Sequence, residues 1–249
     1  MMKHTPTPRL RRRAFTLMET LLAVAIIGVV LSIVLSVFVP ARGLMQKALT
    51  KQEADRIVSI LRAEINTIRP NEQALSVETS APGSYATAFD KGFYWIRASL
   101  KPETSIVIFS YRADTSKPRR ADGTYPSIPA TRSKPGADTQ LTTIACPMNS
   151  SIHKDDIKNA IGNLFLVKLT QIEETNSSNF KLAKTPGTIS GAESPAKYYS
   201  RDNADWAWGG AIYCRADFYL MTPNPARYKN RPWSRVGKPI FSANFSFRR

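Results

Sequence analysis

The sequence predicts an α+β fold, with a long N-terminal helix followed by a β-rich globular region. Three observations predict it. Residues 14–39 form a nearly continuous apolar run. Residues 44–68 then repeat apolar side chains at intervals of three and four. Beyond Pro70 the apolar residues gather into short clusters of β-branched and aromatic side chains, separated by proline-rich stretches.

The first element is the apolar run. From Leu21 to Val39 only Gly28, Ser32 and Ser36 interrupt it. Counted from Ala14, it gives about 39 Å of helix at about 1.5 Å per residue, enough to span a hydrocarbon core of about 30 Å. Lys3, Arg9, Arg11, Arg12 and Arg13 precede it without an acidic residue. The positive-inside rule keeps that end cytoplasmic and sends the remainder across the membrane. A secretory signal has an apolar region of only about 7–15 residues and a small-x-small cleavage site, which Val37-Phe38-Val39-Pro40 does not offer. A plain signal anchor explains the length and the charges. It does not need Glu19, although a carboxylate is favourable at a helix N-terminus or can snorkel.

Ala14-Phe15-Thr16-Leu17-Met18-Glu19, with Leu21-Leu22-Ala23-Val24-Ala25-Ile26-Ile27-Gly28 after it, resembles the N-terminus of type IV prepilins and type II secretion pseudopilins. The resemblance covers the basic leader, the Phe, the Glu four residues later and the apolar helix. It implies cleavage between Ala14 and Phe15 by prepilin peptidase, followed by N-methylation of Phe15. It implies that Glu19 pairs with the terminal amine of a neighbouring subunit. A carboxylate in hydrocarbon costs several kcal/mol unless paired, so this pairing selects one register between helices. Two positions depart from the family pattern. Ala14 stands where Gly is usual, and the first proline of the run is Pro40, at its end, where a kink is expected.

The resemblance also sets the organisation. Residues 1–14 are a leader, 15–39 a transmembrane and filament-core helix, 40–69 its amphipathic continuation, and 70–249 a periplasmic domain. In the family the second half of the helix packs its stripe on an antiparallel β-sheet. Here that stripe is Leu44, Ala48, Leu49, Ile57, Ile60, Leu61, Ile65 and Ile68. Lys51, Glu53, Asp55, Arg56, Arg62 and Glu64 fall largely off it, and Pro70 ends it.

The strands expected next are 93–96, 105–111, 164–172, 211–220 and 240–247. Phe165, Val167 and Leu169 alternate with Lys168 and Thr170, which predicts one buried face. Residues 112–151 and 175–198 read as long loops.

Charge and residue counts bound the chemistry. Formal net charge is +16, and +11 remains once the five leader cations are removed. Such a surface is drawn to anionic partners. The histidines are His4 and His153; loss of the leader leaves one, too few for a histidine-based metal cluster. No GxSxG, P-loop or HExxH motif is present, and no cofactor is expected. Asp155-Asp156 and Glu173-Glu174 read as solvated pairs on strands.

Three further groups bear on function. Cys146 and Cys214 face an oxidising compartment in this topology, where a disulfide and two unpaired buried thiols are both open readings. Asp202 and Asp205 supply oxygen ligands for Ca²⁺ but lack EF-hand spacing, so a solvated turn is the simpler reading. Arg227, Lys229, Arg231 and Arg235 interleave with Tyr228 and Trp233. That combination suits single-stranded nucleic acid. It also suits a final strand with core aromatics and a charged edge.

The resulting expectation is a non-enzymatic filament subunit of a type IV pilus or secretion pseudopilus. At 235 residues after processing it reads as a minor one. Its partners would be other pilin or pseudopilin subunits, prepilin peptidase and an inner-membrane assembly platform. It would begin as a single-pass inner-membrane protein and move into a filament. The alternatives are a DNA-uptake pilin and a plain anchored periplasmic protein.

Overall fold

The computed structural model describes residues 16–70, 72, 85–129, 136, 138–176, 179–190 and 211–248. The chain forms two compact units, Met1–Glu53 and Ala54–Arg249.

Helix α1, Leu17–Asn66, supplies the first unit and enters the second. Its stretch Leu17–Val34 has a mean hydropathy of 2.5, and none of it is buried in the protein. This is one helix long and apolar enough to cross a membrane. The hydroxyls of Thr20, Ser32 and Ser36 donate to the carbonyls of Leu17, Gly28 and Ile33. The polar interruptions are therefore satisfied within the helix, as an apolar solvent demands. The chain stays helical through Pro40.

In the second unit α1 buries Ile57, Leu61 and Ile65 at helical spacing. It ends at Asn66, before Pro70, and Ile68 lies off the stripe and exposed. Glu64, expected on the solvent side, is buried. Its carboxylate is held by Arg69, whose Nε donates to Oε1 at 2.7 Å and Nη2 to Oε2 at 2.8 Å.

Helix α2, Ala88–Ala98, replaces the strand expected at 93–96. Thr87 and Asp90 form a capping box, which satisfies two orphan N–H groups and starts a helix here. Phe89, Phe93, Tyr94, Trp95 and Ile96 are all buried, so the segment carries the aromatic density of a core strand while being helical.

Six antiparallel strands follow. They are β1 (Ile106–Asp114), β2 (Thr139–Pro147), β3 (Ile161–Asn176), β4 (Asn179–Leu182), β5 (Ala211–Met221) and β6 (Phe241–Arg248). The order is β2-β1-β3-β5-β6, and β4 pairs with the far end of β3. Four expected strands are present within a few residues. β2 and β4 lie inside the stretches read as loops, and a short helix, α3, Lys154–Lys158, follows just beyond the first of them.

Both faces of the sheet are buried, where one was expected. Ile106, Ile108, Phe165, Val167, Leu169, Cys214, Phe218, Phe245 and Phe247 meet α1 and α2. Val107, Phe109, Tyr111, Ile144, Leu164, Leu166 and Tyr219 face the other way, under Tyr125, Ile157, Tyr228 and Trp233. A strand covered on both sides reads as a continuous apolar run, as Leu164–Val167 does. The cover on this second face comes from connections, chiefly the one between β5 and β6.

Candidate functional site

Helix α1 starts on a capping box. The backbone N–H of Thr16 donates to Glu19 Oε2 at 3.3 Å and its hydroxyl to the same oxygen at 3.4 Å. In return Glu19 N–H donates to Thr16 Oγ1 at 3.3 Å. Glu19 thus sits in the first turn, where the helix dipole favours a negative charge. Both bonds to its carboxylate fall on Oε2, and no described group contacts Oε1. One carboxylate oxygen thus caps the chain's own helix. Leu17, Met18, Leu21 and Leu22 around it are exposed. Ala14 and Phe15, the expected cleavage and methylation positions, lie outside the described residues.

The disulfide expected as one reading of Cys146 and Cys214 is not formed; both thiols are free and buried. Cys146 is on β2 and Cys214 on β5, with β1 and β3 between them. They also belong to opposite faces of the sheet. Neighbouring strands lie about 4.8 Å apart, so three steps exceed the Cα separation a bridge allows. Burial pushes both thiols up in pKa and keeps them as inert neutral groups.

Asp202 and Asp205 lie outside the described residues. No cluster of three or more His, Cys, Asp or Glu suited to a metal ion occurs among the described residues.

The basic tail is divided by the structure. Tyr228 is buried in the second face of the sheet. Trp233 packs on Tyr219 with ring centroids 5.4 Å apart, and its Nε1 donates to the carbonyl of Ser99 at 2.8 Å. Tyr228 belongs to the core, and Trp233 is half-buried against it. Arg227, Lys229 and Arg235 are exposed, with Arg231 half-buried. What remains is a cationic surface on a connection anchored by its aromatics.

The sequence reading missed a buried polar cluster. Asp156 was read as solvated on a strand; it lies on α3 and is fully buried. Arg120 forms a bidentate pair with it, and the Ser127 N–H donates to Oδ1 at 2.9 Å. His153 stands between two carboxylates, with Nδ1 3.0 Å from Asp156 Oδ2 and Nε2 2.9 Å from Asp122 Oδ2. A neutral ring has one N–H, so two facing carboxylates select the doubly protonated form. Burial works against that charge, and the bonds to Asp122 and Asp156 outweigh it, raising the His153 pKa. Burial likewise opposes ionisation of the two carboxyls, and their bonds to His153, with others to Thr124 and Arg120, hold both well below the usual range. Two cations and two anions balance, which suits a structural clamp.

A second buried cluster involves Lys91. Its Nζ donates to the Thr67 carbonyl at 2.7 Å, lies 2.8 Å from Glu72 Oε1, and sits over the Trp95 ring. This fixes the segment leaving α1 to α2. Neither cluster presents a nucleophile beside a base.

Comparison with known proteins bears on the N-terminus. Residues 9–35 match the family model described as the prokaryotic N-terminal methylation motif. No curated protein and no solved structure matches the chain.

Proposed function

We propose that this chain, which carries the N-terminal methylation motif that is the hallmark of type IV pilins and pseudopilins, is a minor structural subunit of a type IV pilus or secretion pseudopilus. The observation that carries this reading is the coincidence of the motif with an unburied apolar helix whose first turn holds Glu19. A helix exposed along its whole apolar length needs either lipid or neighbouring helices around it. Assembly exchanges the first for the second.

The capping box adds a physical account of that exchange. In the membrane, Thr16 satisfies one oxygen of Glu19, which lowers the cost of holding a carboxylate near hydrocarbon. Prepilin peptidase would cut between Ala14 and Phe15 and methylate the new amine. The amine of a neighbouring subunit would then pair with Oε1 while the cap on Oε2 persists. The globular unit, on the far side of the membrane, supplies the filament surface and no catalysis.

Mass spectrometry of the membrane-extracted protein tests the processing step. The expected N-terminus is methylated Phe15; an intact Met1 or a cut near Pro40 overturns the reading. Glu19→Leu should insert into membranes normally and fail to enter filaments. Normal incorporation would remove the pairing role.

A second reading is favoured by the exposed Arg227, Lys229 and Arg235: a pilin that also binds nucleic acid through phosphate contacts. With Tyr228 buried and Trp233 packed half-buried on Tyr219, its affinity would be chiefly electrostatic and fall steeply with salt. A DNA titration of the detergent-solubilised chain decides it, and no binding at low salt removes it.

A further inference from the structure

Among the described residues the sheet ends at β6, whose one strand partner there is β5. Along it, Phe245 and Phe247 turn inward and are buried, while Ser242, Asn244 and Ser246 alternate with them and are exposed. The Asn244 carbonyl is met at 3.5 Å by Arg62 Nη2 from α1, so it points away from β5. In an antiparallel strand the N–H and C=O of one residue point to the same side. Ser242, Asn244 and Ser246 therefore turn their backbone groups to the open edge.

Native sheets guard such edges with lysine, proline, bulges or a covering segment. Within β6 the only charge is Arg248 at its end, proline is absent, and no described strand lies beyond it. Beside the edge runs a groove of about 420 Å³ lined by Arg62, Ile65, Tyr213, Phe245 and Phe247, among others. Ile65, Phe245 and Phe247 give it an apolar side, Asn66, Asn244 and Ser246 a polar one, and exposed Arg62 lies over the Phe245 ring at 5.2 Å.

The edge is also held in place. Phe247 packs so closely on Gly92 of α2 that a Cβ there would come within 2.7 Å of its ring. A rigid template loses little entropy when a strand is added.

We propose that β6 and this groove receive an extended acidic segment of a partner protein by strand addition. Main-chain bonds to Ser242, Asn244 and Ser246 would provide the ladder. An incoming N–H takes the Asn244 carbonyl, which releases Arg62 to pair with a carboxylate of the added strand. The neighbouring inward position, two residues along, sets an apolar side chain against Ile65 and Phe247. The proposal goes beyond the subunit reading and does not depend on it, because its residues lie within 54–249 and the motif within 9–35.

The test uses the detergent-solubilised full chain and three fluorescein-labelled peptides, followed by anisotropy. The first alternates Thr with Glu and Val, the second replaces its Glu by Lys, and the third keeps the acidic composition but inserts two prolines. The first peptide should bind saturably, and the other two about tenfold or more weakly. Arg62→Glu should reverse the preference between the first two without changing the thermal midpoint. Ser246→Pro, which removes an edge N–H, should abolish binding of the first. Equal binding of the proline-containing peptide would show general attraction to a cationic protein and overturn the proposal. So would self-association lost in Ser246→Pro with no peptide bound, which assigns the edge to a second copy. If Ser246→Pro does not fold, the Arg62→Glu reversal and the proline peptide decide alone.

Discussion

Asp156 has no solvent exposure, yet it accepts hydrogen bonds from Arg120, His153 and the Ser127 backbone. Removing its charge would strand Arg120 and His153 as partly uncompensated cations. Breaking a buried pair typically costs about 3–5 kcal/mol, so Asp156→Asn should lower stability by about 3 kcal/mol in thermal denaturation. His153 gives the same cluster a pH dependence whose sign follows from its raised pKa. A raised pKa means stabilisation that is full below the unfolded value of about 6.5 and lost as pH rises through the folded value. Asp122 and Asp156 are lowered, so their contribution is full above about 3.9 and lost as pH falls toward their folded values. Stability should therefore plateau between about pH 4 and 6.5 and decline on the alkaline side. Melting curves across pH check this, and His153→Gln should flatten the alkaline limb. An unchanged limb would mean the ring is neutral in the folded protein. None of this was legible in the sequence, because Arg120 and Asp156 are 36 positions apart and only the fold brings them together.

At the scale of elements, the connection after β4 is fixed by one glycine. Gly187 has φ of +80°, and a Cβ there would fall 2.3 Å from the backbone nitrogen of Leu100, just after α2. Backbone cannot step aside as a side-chain tip can. Gly187→Ala should cost about 2–4 kcal/mol, combining left-handed strain with overpacking. A loss under about 0.5 kcal/mol, the scale of a neutral surface change, would show that the loop shifts freely. The elements differ in how plainly the sequence announced them. β1, β3, β5 and β6 were readable from their apolar runs. α2 was misread because Phe93–Ile96 is as aromatic as a strand, although the Thr87–Asp90 spacing of its capping box was present upstream. β2 was hidden because its first half, Thr139–Thr143, is polar and half exposed. The apolar stretch 17–34 and Glu19 were the most legible features, since an apolar helix and its cap depend on neighbours one turn away and not on distant contacts.

At the scale of the molecule, α1 joins an unburied apolar stretch, Leu17–Val34, to a C-terminal stretch that packs into the second unit. Among the described residues, the apolar side chains that it gives the second unit are Ile57, Leu61 and Ile65, with Val58 and Ile60 packed alongside. Among the residues whose side chains are described, the buried members that α1 gives this core begin at Ile57, and the second compact unit begins at Ala54. A chain beginning at Ala54 should therefore keep a cooperative thermal transition close to that of the full-length protein. A chain beginning at Thr67 loses three buried side chains worth about 1.5–3 kcal/mol each. It also loses Glu64, which leaves Arg69 and Lys91 with one fewer counter-charge. The sum, about 5–9 kcal/mol from burial alone, matches the whole stability of an ordinary domain, about 5–15 kcal/mol. The shorter chain should lack a cooperative transition by circular dichroism while the longer one retains it. If both melt alike, the C-terminal part of α1 is an ornament on a self-sufficient sheet. If neither folds, residues before Ala54 contribute to the core in a way the packing does not show. The expected outcome, folding from Ala54 and none from Thr67, would mean that the second unit folds without the apolar N-terminal segment but not without the last turns of α1.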